Sequence, residues 1–364
     1  MKNAILRLGA LCAVSLAVAS CSSPKSLSAA EGRGEAGPPR SLDIYFIDTE
    51  GGGATLIVSP GGESLLIDPG YPGGRDPRRI SKVAKEAAGL RKIDAFLSTH
   101  FDLDHYAALP EVLELIPIER FYDRGVPDPL PPGVDKKDMD RYVAATKGAS
   151  KALAPGDVLS LRGEGPAGAV KLEVLAASGR VLGEEPGAPQ IRPCEKHKAL
   201  PEDRSENAQS VAVLLSFGEF RLFAGGDLTW NVEHKLVCPK NIPGQVDVFQ
   251  VDHHGFAISN NPALVEALNP RVAVVLNGPT KGGDPETFAR LRAAPALEGL
   301  FAMHRNLRTS PAENAPEELT LSSAPEASCP GGCIHLSVRP DGKEYSVSIP
   351  SKGTKRTYAV LRKK

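Results

Sequence analysis

Within Ser98-Thr-His-Phe-Asp-Leu-Asp-His105 the chain gathers two imidazoles and two carboxylates: His100, Asp102, Asp104 and His105. They follow Ile93-Asp-Ala-Phe-Leu97, an apolar run of strand length, which predicts a loop at the end of a buried strand. Loops held on a rigid edge are where ligands usually sit. Imidazole nitrogen and carboxylate oxygen both bind first-row divalent metals, at about 2.0–2.2 Å for zinc, and two His with two Asp can supply a pair of ions. A polar loop with solvated acids is the plain alternative, and two His flanking two Asp at alternate positions argues against it.

The pattern resembles that of the metallo-β-lactamase superfamily, whose H-x-H-x-D-H signature follows an early strand of an αββα sandwich. Here it reads His100-Phe-Asp102-Leu-Asp104-His105. An aspartate stands at the second histidine position, as in the extracytoplasmic metallo-hydrolase domain of the competence channel protein ComEC. The resemblance implies a mixed α/β, four-layered αββα sandwich covering roughly residues 42–305, with a small C-terminal β extension over about 306–364.

Other elements follow in the family's order. Strand patterns at Leu42–Ile47, Ala54–Val58 and Ser64–Asp68, separated by Gly51-Gly-Gly53 and Pro60-Gly-Gly62, make a meander ending in Asp68-Pro-Gly70. That looks like the family's Asp-x-Gly, and implies that Asp68 supports the metal loop from behind. A hairpin of Ala212–Phe217 and Phe220–Ala224 delivers Gly225-Gly226-Asp227, which implies Asp227 as the bridge between two metals; an N-cap is the alternative. The strand pattern Val246–Val251 leads to Asp252-His-His-Gly255, similar to the family's His-His-Gly element. One imidazole should reach the metal shared with Asp104 and His105, and the choice between His253 and His254 stays open. Where many members carry another histidine this chain has Glu206-Asn-Ala-Gln-Ser210. ComEC-like sequences have a similar Asn-x-x-Ser, so Asn207 and Ser210 are candidates to hold a metal-bound water or a substrate oxygen. His197, the nearest imidazole, reads as a surface residue. Tyr106-Ala-Ala108 replaces the family's usual Gly-Gly after the motif.

By this resemblance His100, Asp102 and Asp227 hold one metal, and Asp104, His105, Asp227 and one of His253 and His254 hold the other. Asp104 is also the candidate catalytic residue, orienting the nucleophile. Two divalent ions about 3.5–4 Å apart lower the pKa of a bridging water toward neutrality and polarise the bond attacked, which is hydrolase chemistry. Zinc is the first choice. Asp102 and the missing imidazole make the first site oxygen-rich, so manganese and iron are rivals. Phosphodiester or nucleic-acid substrates are implied by the resemblance alone, and those departures argue against a β-lactamase. A non-catalytic surface lipoprotein that keeps the fold for binding is the reading from another class. An oxygen-reducing di-iron protein would want a Glu near the second ligand position and a flavin domain, and neither is visible.

The first residues read as an export signal. Lys2 and Arg7 precede an apolar stretch from Leu8 to Ala19, then Val18-Ala-Ser-Cys21. The resemblance to bacterial lipoprotein signals implies cleavage before Cys21, a lipid anchor there, and an extracytoplasmic protein, at the outer membrane in a Gram-negative cell because Ser22 and Ser23 follow; a bare secretory signal is the alternative. Residues 21–40 read as a flexible tether, and 41–364 as the domain. Removing residues 1–20 takes away two cations and no acid, moving the net charge from −1 to −3 (41 − 44). That balance gives no broad footprint for nucleic acid, though it leaves a local groove open. Cys194, Cys238, Cys329 and Cys333 remain; an even number in an oxidising compartment favours disulfides, with Cys329 and Cys333 closing around a turn and Cys194 left for Cys238.

Helices are expected at Arg78–Leu90, Leu109–Ile116, Lys136–Ala149, Asn261–Leu268 and Asp284–Ala293. Further strands are expected at Val158–Leu161, Val170–Leu175, Val272–Leu276, Leu300–Met303, Ile334–Val338, Tyr345–Ile349 and Thr357–Leu361. Gly179–Arg204 reads as a long loop, either walling a substrate site or forming a stapled surface insertion. His304 reads as a core or surface residue.

Overall fold

The structure is a computed structural model that describes residues 40–163, 165–183, 194, 198–325 and 328–361. The signal, Cys21, the tether and His197 lie outside the described residues. No helix among the described residues is long and apolar enough to cross a membrane.

Strand sequences such as Leu42-Asp-Ile-Tyr-Phe-Ile47 and Ala212-Val-Leu-Leu-Ser-Phe217 are apolar at nearly every position, which is how strands covered on both faces read. Alternate residues then serve different layers. Leu42, Ile44 and Phe46 point into a core shared with Val213, Leu215 and Phe217 of the other sheet. Tyr45 and Ile47 point outward, to a layer that includes Ile80 and Val83, Leu109 and Val112, and Met139 and Tyr142. On the far side Ala212 and Leu214 pack with Val232, Leu236, Leu264, Val265, Phe288 and Leu291. Two sheets face to face with helices outside both make the four-layered αββα sandwich.

In spatial order the first sheet runs Thr354–Ala359, Glu344–Ile349, Cys333–Val338, Leu42–Ile47, Thr55–Val58, Ser64–Ile67, Ile93–Leu97, Ile118–Asp123 and Lys151–Ala152. The second runs Thr320–Ser322, Gly299–His304, Val272–Val275, Val248–Gln250, Phe220–Ala224, Ala212–Phe217, Val170–Ala177 and Val158–Leu161, with Arg180–Val181 paired to Val170–Ala177. The C-terminal strands extend the first sheet at its edge. Cys333–Val338 pairs antiparallel with Leu42–Ile47, in register from Leu42 with Val338 to Ile47 with Cys333. Their alternate burial, with Ile334, Leu336 and Val338 inside, requires that they cover the inner core.

Both sheets are partly parallel where the site lies. Ile93–Leu97 pairs parallel with Ser64–Ile67, and Phe220–Ala224 pairs parallel with Val248–Gln250, which pairs parallel with Val272–Val275. Loops leaving the carboxyl ends of such strands line a common crevice, the usual ligand position in α/β sheets. The helix expected from Arg78 starts at Arg75, and after Lys82 it loosens into a π turn over Val83–Ala87, where the Ala88 amide reaches back to the Val83 carbonyl at 2.9 Å. The Lys136 helix ends at Ala145, and Asp135 caps its start by accepting from the Asp138 amide.

Candidate metal centre

Ile93–Leu97 is buried throughout and its exit loop is tied to itself. Ser98 Oγ lies 2.9 Å from the His100 carbonyl and 3.0 Å from the His105 carbonyl. Asp102 occupies the N-cap position of the short helix Leu103–Tyr106 without capping it by a side-chain bond, so its carboxylate is available to the site.

Four ligand atoms cluster tightly. His105 Nε2 lies 3.3 Å from Asp104 Oδ2, 3.3 Å from Asp227 Oδ2 and 3.2 Å from His254 Nε2. His254 Nε2 lies 3.2 Å from each of the same two carboxylate oxygens. A tetrahedron of ligands around zinc at about 2.0–2.1 Å has edges of about 3.3 Å. These five separations match the spacing of candidate donors around a small divalent ion, and His254 is the imidazole that lies among them. The first site is looser: His100 Nε2 lies 3.7 Å from Asp102 Oδ2 and 4.0 Å from Asp227 Oδ2. His100 Nε2 is buried with no hydrogen-bond partner, an orphan that a cation between these groups would satisfy.

The groups behind the ligands fix their orientation. His105 Nδ1 lies 2.8 Å from Asp68 Oδ2, which also accepts from the Thr99 hydroxyl, while Asp68 Oδ1 accepts from the Thr99 amide. Bonds of this kind settle the tautomer and leave Nε2 as the donor to metal. Ser210 Oγ lies 3.3 Å from His100 Nδ1 and accepts from the Asp227 amide at 3.1 Å. Its hydroxyl is therefore engaged by two of the candidate ligand residues. Asn207 Oδ1 is buried and unpartnered. His253 and His254 both adopt left-handed backbone, φ 51° and 52°, a conformation non-glycine residues rarely take and one that aims both rings inward. At Gly225 a Cβ would lie 2.3 Å from Asp252 Oδ1, so only glycine lets the Asp227 loop pass.

Charge follows the geometry. Burial alone would raise the Asp227 carboxyl, but the charges of His105 and His254 chiefly outweigh it and hold it well below the usual carboxylate range. Asp104 is likewise held low against burial, by His105, His254 and Lys281. Burial would lower His105, yet Asp227, Asp104 and Asp68 together push it well above the ordinary imidazole value. His254 is raised in the same way, chiefly by Asp227 against burial. Burial takes His253 down to about 4, so this imidazole is neutral.

Two residues at the site carry no motif. Lys281 Nζ lies 2.6 Å from Asp104 Oδ2 and 2.8 Å from the Tyr71 hydroxyl. Both line a cavity of about 420 Å³ with Glu50, Pro72, Arg75 and Thr280. The glycine-rich Asn277–Gly283 loop after a strand was the sequence signal for Lys281, and Tyr71 directly follows Asp68-Pro-Gly70.

The remaining candidates lie elsewhere. His304 is fully buried with Nε2 2.7 Å from Asp48 Oδ1, beside Arg79 and the Cys329 thiol. Cys194 and Cys238 form a disulfide with Cα atoms 5.6 Å apart. The expected Cys329–Cys333 bridge is absent, and both thiols are free. Cys329 Sγ donates to Asp48 Oδ2 at 3.2 Å, while Cys333 begins the strand paired with Ile47 and packs against the outer core, so each is drawn to its own partner. Residues 198–200 dock on the Trp230–Val237 helix through Trp230 Nε1 to the Lys198 carbonyl and Asn231 to Leu200.

Residues 48–180 match the family model described as "Metallo-beta-lactamase superfamily". A search of curated proteins found no match. Among solved structures, a putative metal-dependent hydrolase from Parabacteroides distasonis is 15% identical, with 73% of this chain and 93% of that one covered and a TM-score of 0.39. Zn(2+)-bound PqqB from Methylobacterium extorquens is 16% identical, with 70% and 86% covered and a TM-score of 0.38. CmlA, a diiron β-hydroxylase from Streptomyces venezuelae, is 17% identical with a TM-score of 0.36, over 72% of this chain and about half (48%) of that one. The chain therefore contains a metallo-beta-lactamase superfamily domain, matched over residues 48–180 and set in the two-sheet sandwich described above.

Proposed function

We propose that this chain is a binuclear metal-dependent hydrolase, held at the cell envelope by lipid on Cys21, that cleaves phosphodiester-type substrates. The observation that carries the metal reading is the cluster of Asp104, His105, Asp227 and His254, whose five measured separations all fall at 3.2–3.3 Å. Divalent ions bound there supply Lewis acidity and make water nucleophilic near neutral pH. His105 and His254 bind through Nε2, while Asp227 reaches toward both sites. Asp104 binds and orients, with its charge balanced by Lys281 on the side facing the cavity. Zinc suits the tight nitrogen-containing second site; the carboxylate-rich first site also suits manganese or iron.

The phosphodiester class is favoured by the ComEC-like Asp102 and by the Asn207-x-x-Ser210 sequence. Its test is hydrolysis of bis(p-nitrophenyl) phosphate with added zinc or manganese, beside an Asp104→Ala, His105→Ala double variant. Metal-dependent turnover lost in the double variant is expected. No turnover by a chain holding two metals would overturn this substrate class and direct the assay to esters, amides and lactams. The anchor is tested separately: labelled fatty acid should enter the wild type and not Cys21→Ala, and equal labelling would discard it.

A further inference from the structure

A second group of metal-binding side chains, sharing no residue with the candidate metal centre, meets where the two sheets come together. Asp48 directly follows Leu42–Ile47 of the first sheet, His304 ends Gly299–His304 of the second, and Cys329 stands shortly before Cys333–Val338. His304 Nε2 lies 2.7 Å from Asp48 Oδ1, and Cys329 Sγ donates to Asp48 Oδ2 at 3.2 Å. One ligand atom from each of the three lies within 4.8 Å of both others. Asp48 and His304 are fully buried, and Cys329 is partly so.

Charge supplies an independent argument. Three buried carboxylates, Asp48, Glu50 and Asp76, are paired among the described residues with two guanidiniums. Arg75 lies 2.7 Å from both Glu50 and Asp76, while Arg79 lies 2.7 Å from Glu50 and reaches Asp48 only at 3.4 Å. One buried negative charge is left over, which is costly without a further cation. A proton on His304 would supply it, but the charged ring would then carry a buried Nδ1–H with no partner. A divalent ion that displaces the Cys329 proton to solvent adds one net positive charge, leaves the ring neutral and uses the thiol as well. We infer that Asp48, His304 and Cys329 form a separate mononuclear zinc site that clips the first sheet to the second. Three protein donors of this kind, with water as the fourth, are ordinary zinc ligation, and thiolate sulfur selects zinc over manganese or magnesium. Tetrahedral edges around zinc are about 3.3 Å or a little more, so the three side chains must spread by about half an ångström to admit it. Failure of the hydrolase reading would leave this inference standing.

The test exploits sulfur, which the candidate metal centre lacks. Cobalt(II) added to the full chain stripped with chelator should give a near-ultraviolet sulfur-to-metal charge-transfer band. The band should persist in the Asp104→Ala, His105→Ala double variant and in Cys333→Ser, and vanish in Cys329→Ser. In His304→Ala it should need on the order of tenfold more cobalt, since one of three protein ligands is gone. Zinc should also slow alkylation of Cys329 in the wild type by on the order of tenfold, read residue by residue by mass spectrometry, because a metal-bound thiolate is no longer a free nucleophile. That measurement needs no variant to fold. The assignment would be overturned by a folded wild type that gives no band in excess cobalt, by a band that survives Cys329→Ser, or by alkylation that zinc leaves unchanged.

Discussion

Asp68 Oδ2 lies 2.8 Å from His105 Nδ1, on the opposite edge of the ring from the Nε2 that faces Asp104 and Asp227. One carboxylate therefore sets the tautomer of the histidine at the centre of the second site. Asp68→Asn keeps the shape and suits the left-handed backbone at φ 59°, but removes the charge and offers an amide where two donors now converge. Metal affinity at the second site should fall about 10–100-fold, the usual effect of losing such a partner. Chelator competition would measure it, and an unchanged affinity would dismiss Asp68 as an orienting group.

Metal uptake should release protons. In the metal-free chain His105 and His254 are raised above the imidazole value of 6.5, so a divalent ion must expel their protons to bind. Affinity should rise with pH through neutrality. The stability of the metal-free fold has the opposite slope in that range. A raised histidine stabilises fully below its unfolded value and loses that contribution as pH rises through its folded one. Asp104 and Asp227, both held low, contribute above the ordinary carboxylate value and lose it as pH falls. Calorimetry in buffers of different ionisation enthalpy would count the protons; none released at pH 7 would contradict this charge state.

Asp252 and Glu233 form a buried acid pair beneath the His253 loop. Glu233 accepts from the Asn260 and Asn261 amides at 2.7 and 2.8 Å, and burial raises it from 4.5 to about 7. Burial also lifts Asp252 well above its ordinary value, with Glu233 the next cause. An acid raised by folding costs stability as pH climbs from its unfolded value through its folded one, here from about 4.5 to 7. Asp252→Asn leaves a neutral donor facing Glu233, so the metal-free melting temperature should decline less over that window than in the wild type. Identical slopes would show that the pair does not share a proton.

The Cys194–Cys238 bridge closes a sequence separation of 44 residues. Loop-closure entropy for that length sets a ceiling of about 4 kcal/mol, and measured losses usually fall at about 2–4 kcal/mol. Cys194→Ser with Cys238→Ser should lower the unfolding free energy by that order. Denaturant melts showing no change would mean that the contacts of residues 198–200 with the Trp230–Val237 helix already hold the segment.

What the sequence disclosed tracks how local the information was. His100 to His105 sit within six consecutive residues, so their conjunction could be read directly, and the strand before them was unmistakable because four of its five residues are apolar. Asp227 and the His253-His254 pair needed the order of elements as well. Which imidazole comes to lie beside Asp104, His105 and Asp227 depends on two left-handed residues in succession, for which neither histidine gives a local signal. Lys281 was missed because its partner, Asp104, is 177 residues away. The alternation in Ile334-His-Leu-Ser-Val338 announced a strand but not its neighbour, since any apolar edge would have satisfied the pattern. Cys329 and Cys333 were misjudged because proximity in sequence says nothing of Asp48, which takes one thiol by hydrogen bond.

The pairing of Leu42–Ile47 with Cys333–Val338 places a clock on synthesis. The strand has its second neighbour 286 residues after Ile47 (333 − 47). At about 5–20 residues per second, the ribosome needs on the order of tens of seconds to deliver it. Through that interval the Leu42–Ile47 strand has an open hydrogen-bonding edge and an inner face short of Ile334, Leu336 and Val338. Nascent chains are thus vulnerable to strand-edge association until Cys333–Val338 is made, and losing that strand would harm solubility while leaving every candidate metal ligand in place.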